Sequence, residues 1–363
     1  MEYSSGDIKL FYALLQAGLW EKTRGDDSSL KHLDFSSIDW SNIYRLAQEQ
    51  RVVGTVAAGL DYLTDVKPPE DVVMQFVGTA LQLEQRNSAM NAFVAKLVKE
   101  MRNEGIYALL VKGQGVAQCY DRPLWRSYGD VDFFLDSADY ERAKLYLAQF
   151  SSENKPERLY SKEKGYYLGP WLVELHGSLR TGLSTRVDKE IDDVQNTVFG
   201  AGRVRSWNNN GIEVLLPSPV DDVFLVFTHF IKHFYKDEGI SSKQLCDWCR
   251  LLWTFRDSIN VELLSYRLEK AGLITEWYAF AAFAVDYLGM PLDAMPLYLD
   301  ENKWHKKASM IVAMIVRKKE PNIIKNIYAN ARVFPISTMR FFPGIVFQVN
   351  GLKIKERLKT FFN

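Results

Sequence analysis

LLVKGQGVAQCYDRPLWRSYGDVDFFL, Leu109 to Leu135, is the stretch on which the reading of this chain turns. An apolar, strand-like run from Ile106 to Val111 meets Lys112-Gly113, and a short helical stretch follows to Tyr120. A polar loop then leads through Arg126 and Gly129 into a second strand-like run carrying Asp130 and Asp132. Side chains two apart on a strand share one face, about 7 Å apart along it. Two neighbouring carboxylates repel and resist burial, so the pattern calls for a cation or open water. A strand, a glycine turn, a helix start and a paired-carboxylate strand together suit a metal-bound triphosphate.

Downstream, WLVELH (Trp171 to His176) alternates, with Leu172, Glu174 and His176 on one face and Val173 and Leu175 on the other. A glutamate inside so apolar a strand needs a partner. Upstream, Asp7 to Trp20 and Trp40 to Leu63 carry apolar residues at helical spacing. Pro68-Pro69-Glu70-Asp71 opens a long helix that stops at Gly105. After Leu135, Asp136 and Ser137 offer an N-cap to another helix. Glu157 to Ser161, Tyr166 to Leu168 and Trp171 to His176 read as strands, and Asn208-Asn209-Asn210-Gly211 as the turn of a hairpin over Val204 to Leu216. From Pro217 onward the pattern is helical again.

The motif Leu110-Val111-Lys112-Gly113, with Tyr120, Arg126, Gly129-Asp130-Val131-Asp132 and Val173-Glu174-Leu175-His176, resembles the nucleotidyltransferase superfamily that shares the DNA polymerase β palm. More narrowly it is similar to a bacterial family known only as uncharacterised nucleotidyltransferases. The resemblance extends more weakly to the helical flanks, from about Ile38 to Trp253. It implies an α+β protein: an N-terminal helical region (1–104), a palm (105–217) and a C-terminal helical domain (218–363). It further implies transfer of a nucleoside monophosphate from an NTP to an acceptor hydroxyl. Two Mg²⁺ ions would be held by Asp130, Asp132 and Glu174, with Lys112, Gly113, Gln114 and Arg126 at the nucleotide. The superfamily usually has Gly-Ser after its first strand, whereas Gln114 follows Gly113 here. That departure keeps a second reading open, a nucleotide-binding or scaffolding protein without turnover.

His176, beside Glu174, is expected to orient the acceptor or the carboxylate. In VFLVFTHFIKHFY, His229, Lys232 and His233 are expected to face the acid strand across a cleft and meet the acceptor. With Cys246 and Cys249 the two histidines could assemble a zinc site, but both cysteines fit an apolar helical pattern as core residues. Removing Asp132 is expected to relieve repulsion and leave the metal-free protein no less stable.

At 363 residues and 47% hydrophobic, the chain has material for a large core without disulfides. Lys plus Arg equals Asp plus Glu, 45 against 45, which argues against bulk nucleic-acid binding and makes any polyanion site local. Three cysteines, and no basic-then-apolar pattern in MEYSSGDIKL, favour a reducing, cytoplasmic setting. No apolar run approaches the ~20 residues of a membrane span. The tail from Gly351 to Asn363 mixes Leu352, Leu358, Phe361 and Phe362 with Lys353, Lys355, Arg357 and Lys359, and could touch an anionic membrane or a partner weakly.

Overall fold

A computed structural model describes residues 3–21, 30, 35, 37–64, 66–236, 239–317 and 323–343. Four helices lead in: α1 (Ser5–Leu19), α2 (Trp40–Glu49), α3 (Val53–Leu60) and α4 (Glu70–Asn103). Ser4 and Asp7 form a capping box on α1, and the Asp39 carboxylate accepts from the Ser41 and Asn42 amides of α2. The run Trp40 to Leu63 is two helices, because the chain turns at Arg51, whose φ is +57°. Helix α4 opens behind Pro69 with Glu70 and Asp71 in its first turn, and the chain turns away at Gly105 (φ +69°).

Helices α1 and α3 cross at glycines. A Cβ on Gly59 would sit 2.0 Å from the Leu14 carbonyl oxygen, and one on Gly18 1.8 Å from that of Thr55. Gly59→Ala should therefore lower stability by about 1–3 kcal/mol, the cost of overpacking outweighing alanine's better helix propensity. Thermal melting checks this, and an unchanged or raised Tm would show that the crossing yields.

The palm follows in the order β1 (Leu109–Val111), α5 (Gly113–Ala117), β2 (Val131–Phe134), α6 (Ser137–Ala148), β3 (Glu153–Asn154), β4 (Glu163–Leu168), β5 (Trp171–His176), α7 (Thr185–Ala201), β6 (Val204–Asn209) and β7 (Ile212–Pro217). The strands form one mixed sheet, β3-β4-β5-β2-β1-β7-β6. Strand β2 runs antiparallel to β1, with Val111 opposite Asp132, and parallel to β5, with Asp132 beside Glu174. The β6–β7 turn has Asn210 and Gly211 both at positive φ (+52° and +82°), as a two-residue hairpin with right-handed twist requires.

Two expectations need correction. Glu157 to Ser161 is not a strand: only a single bridge, Arg158 to Glu163, forms there, and the edge strand is the short β3. Helix α7 was not anticipated, although Ser184 caps its start and Gly202, in the left-handed region, ends it.

One face of the sheet packs Leu110, Val131, Phe133, Val173 and Leu175 against α4 and α6 in a core of their own. The side chains that alternate with them, Asp132, Glu174 and His176 among them, take the opposite face. There a larger core joins Val111 and Phe134 to α7 and to the C-terminal helices: α8 (Pro219–Lys236), α9 (Ser242–Thr254), α10 (Val261–Ala271), α11 (Ile274–Leu288), α12 (Asn302–Val316), α13 (Ile323–Val333) and α14 (Pro335–Phe341). That core also takes in Phe11, Leu14 and Leu15 of α1, so the first and last helical regions pack as one body over the palm. Phe227 of α8, Trp248 of α9 and Trp277 of α11 meet at its centre, the two indoles edge to face at 4.7 Å. Among the described residues no helix is long and apolar enough to cross a membrane. The basic-aromatic tail from Gly351 lies outside the described residues.

Candidate active site

The site forms where β1 ends. Lys112 lies at φ +59°, ψ −140°, a conformation nearly confined to glycine that costs a lysine about 1–3 kcal/mol. Gly113 follows at φ +32° and starts α5. The turn delivers the Lys112 ammonium to Asp132 Oδ1, 3.1 Å away. His176 Nε2 lies 2.8 Å from the same oxygen. An ionised aspartate only accepts, so Nε2 carries the proton of that hydrogen bond. Burial opposes ionisation of Asp132, but Lys112 and then His176 outweigh it and hold the carboxyl well below the usual range.

Glu174, beside Asp132 across the β2–β5 pair, binds the Lys155 ammonium at 3.0 Å. Asp130, one residue ahead of β2, is the strained carboxyl. The neighbouring Asp132 and then burial push its pKa up. Among the described residues, donor atoms of Asp132, Glu174 and His176 lie within 4.8 Å of one another, a carboxylate–carboxylate–imidazole set that could take a divalent cation. Asp130 stands outside that set but lines the same cleft.

The cleft above the sheet measures about 980 Å³. Its floor holds Lys112, Gly113, Asp130, Asp132, Glu174 and His176, and α8 brings His229, Lys232 and His233 to its wall. The two imidazoles touch, Nε2 to Nε2 at 3.0 Å, so one donates and the other accepts. Burial, then the nearby Lys112 and His233, push the His229 pKa well down, which leaves that ring neutral at pH 7.

Two residues expected at the nucleotide are engaged within the protein. Arg126, on the cleft lining, is 4% exposed and grips Asp247 of α9 with two bonds of 2.6 Å. Tyr120 donates to the same carboxylate at 2.8 Å. Gln114 is fully buried, its amide donating to the Asp130 carbonyl at 3.2 Å and resting on the Met90 sulfur. It props the entrance of β2 from beneath rather than reaching for a nucleotide. Cys246 and Cys249 are buried free thiols of the helical core, with no part in a metal-ligand group among the described residues.

Several residues at or beside the site carry no local motif. Lys155, the partner of Glu174, follows the β3 edge, and of the cleft residues Arg51 sits in the α2–α3 turn, Arg317 ends α12, and Lys243 starts α9. Of these only Lys243 had a signal nearby, the capping pattern of Ser241 and Gln244. Burial and then Arg126 push the Lys243 pKa down to about 8.

A mixed sheet with adjacent carboxylates on β2 and β5, preceded by a strained Lys-Gly turn, is the frame in which the family comparison falls. A family described as "Uncharacterised nucleotidyltransferase" matches residues 36–289, and the chain belongs to that family. Among solved structures, an antigenic nucleotidyltransferase-like protein from Paracoccidioides brasiliensis is similar at 18% identity, covering 51% of this chain and 87% of that one, with a TM-score of 0.33. No curated protein matches the chain.

Proposed function

We propose that this nucleotidyltransferase moves a nucleoside monophosphate from an NTP to a hydroxyl of an acceptor held between the sheet and α8. The observation that carries the reading is the pairing of Asp132 with Glu174, each already holding an ammonium group, at the floor of an open cleft. Two ammonium–carboxylate pairs on neighbouring strands, Lys112 with Asp132 and Lys155 with Glu174, whose acids line the cleft, are poised for a polyanion with its counter-cation. A divalent cation bound by Asp132 and Glu174, with Asp130 and His176 beside it, would neutralise phosphate charge and lower the barrier to in-line displacement. The acceptor oxygen bonds to the α-phosphorus as the bond to the bridging oxygen of the β-phosphate breaks. Pyrophosphate departs with that electron pair, and the hydroxyl proton passes to a base. His229, held neutral across the cleft and hydrogen-bonded to His233, is placed to receive it. Lys112 and Lys155 supply mobile positive charge, and the His176 imidazole keeps Asp132 oriented.

The test is transfer of label from each α-labelled NTP into an extract supplying acceptors, with Mg²⁺ or Mn²⁺ present. Wild type should transfer label and release pyrophosphate. Glu174→Gln should cut transfer by more than about 100-fold, because the lost charge is needed in the transition state. Neither transfer nor calorimetric NTP binding would defeat the proposal. Binding without transfer would point to a nucleotide-binding scaffold, a reading favoured by Gln114, whose inward-facing amide supplies no hydroxyl after Gly113.

A further inference from the structure

Gln50 is a buried knot, 4% exposed. Its side-chain amide donates to the Ile315 carbonyl at 3.0 Å, and its side-chain oxygen accepts from the Ser242 amide and hydroxyl at 2.9 and 3.1 Å. Its main-chain carbonyl accepts from the Lys243 amide at 3.3 Å. One glutamine thus fastens together the end of α2, the start of α9 and the end of α12. The residue that follows or lies within two positions of each fastening point is basic: Arg51, Lys243 and Arg317, and all three line the cleft. Arg51 is held at φ +57°, a conformation a non-glycine residue keeps only when its surroundings impose it.

Among the described residues the cations of this wall make no ion pair, although Asp247 and Asp130 act on Lys243 at longer range. Lys112, Arg126, Arg158 and Arg180, which also line the cleft, each hold a carboxylate at 3.1, 2.6, 3.0 and 2.6 Å. Among the described residues, no carboxylate lies within ion-pair distance of Arg51, Lys243 or Arg317. Lys243 stands within electrostatic reach of Asp130, which joins this wall to the acid-bearing floor of the same cleft. Three cations set on segments that one buried side chain fastens together match a polyphosphate tail better than one carboxylate or one phosphate.

The geometry points to the Arg51, Lys243 and Arg317 wall as the seat of the β- and γ-phosphates of the nucleotide, and of the pyrophosphate as it leaves. This rests on the nucleotidyl-transfer reading and fixes the direction of the substrate within it: tail toward α2, α9 and α12, reacting phosphorus over Asp132, acceptor toward β5 and α8. The source of the phosphates could otherwise be an acceptor that is itself phosphorylated, and competition separates the two.

Inorganic tripolyphosphate is the probe, titrated calorimetrically into the full-length protein at pH 7. Wild type should bind one equivalent, and a non-hydrolysable NTP should exclude it. Lys243→Met and Arg51→Gly should each weaken binding by about 10-fold or more, since each removes a charge-assisted contact. Both variants should melt no lower than wild type. Lys243→Met removes an amine that is costly to bury in its charged form, and Arg51→Gly relaxes a left-handed turn. Wild-type affinity in both variants, no binding by the wild type, or simultaneous binding of tripolyphosphate and NTP analogue would each overturn the assignment. Unaltered tripolyphosphate binding in the variants alongside intact nucleotidyl transfer would remove the wall alone. Tripolyphosphate binding lost in the variants, with no transfer by the wild type, would keep the wall and remove the reaction.

Discussion

Asp132→Asn should abolish cation-dependent nucleotide binding and also destabilise the metal-free protein, by about 1–3 kcal/mol. The reason is that Asp132 Oδ1 serves two donors at once, Lys112 at 3.1 Å and His176 at 2.8 Å. An asparagine oxygen could still accept, but the Lys112 ammonium, with only 23% of its side chain exposed, would lose its countercharge. Crowding of acids, read from the sequence alone, gave the opposite expectation for this residue. The repulsion is real but sits on Asp130, whose pKa is raised by Asp132. Asp130→Asn should therefore leave stability unchanged or slightly higher at pH 7. The pH profiles separate the two. Asp132 has a folded pKa below its unfolded one, so its contribution is full above about pH 4 and fades as pH falls through the folded value. Asp130 has a folded pKa above its unfolded one, so its penalty is present at neutral pH and vanishes in acid. Urea denaturation of both variants at pH 7 and pH 3.5 makes the measurement. Asp132→Asn as stable as wild type at pH 7 would show that the Lys112 and His176 contacts contribute nothing net.

Arg126→Met should cost more, about 3–5 kcal/mol, because it strands Asp247 in the interior. The guanidinium and that carboxylate are both nearly solvent-free, their side chains 3% and 8% exposed. Burial opposes ionisation of Asp247, and Arg126 is what keeps it ionised. The pair also ties the loop before β2 to α9, so its loss should loosen the palm from the helical body. Equilibrium denaturation, followed by tryptophan fluorescence from Trp248 on α9, reads the effect. A loss under about 1 kcal/mol with nucleotide binding gone would return Arg126 to the phosphate role suggested by its motif.

What could be read in advance was whatever is encoded locally. The acid-bearing strand, the alternation that puts Glu174 and His176 on one face, the Asn210-Gly211 hairpin and the start of α4 behind Pro69 all depend on neighbours a few residues away. The partners of Gln114 and Arg126 are not legible in the sequence because they are distant: Met90 is 24 positions from Gln114, and Asp247 is 121 from Arg126. No periodicity or spacing announces such a meeting. Gln50 was passed over for the same reason, since Ser242 and Ile315 lie 192 and 265 positions away. Helix α7 is a different failure, because its Ser184 and Gly202 caps were present in the sequence and went unread.

The knot at Gln50 has a consequence for how such a chain can change over time. One wall of the cleft is assembled from the turn after α2 and from segments some two hundred residues later, while the acid-bearing floor is encoded between them. A recombination event that swapped only the leading helices, or only the trailing ones, would deliver half of a wall with no matching fastening. Selectivity at that end of the cleft is then inherited as a property of the whole chain and drifts by paired substitution.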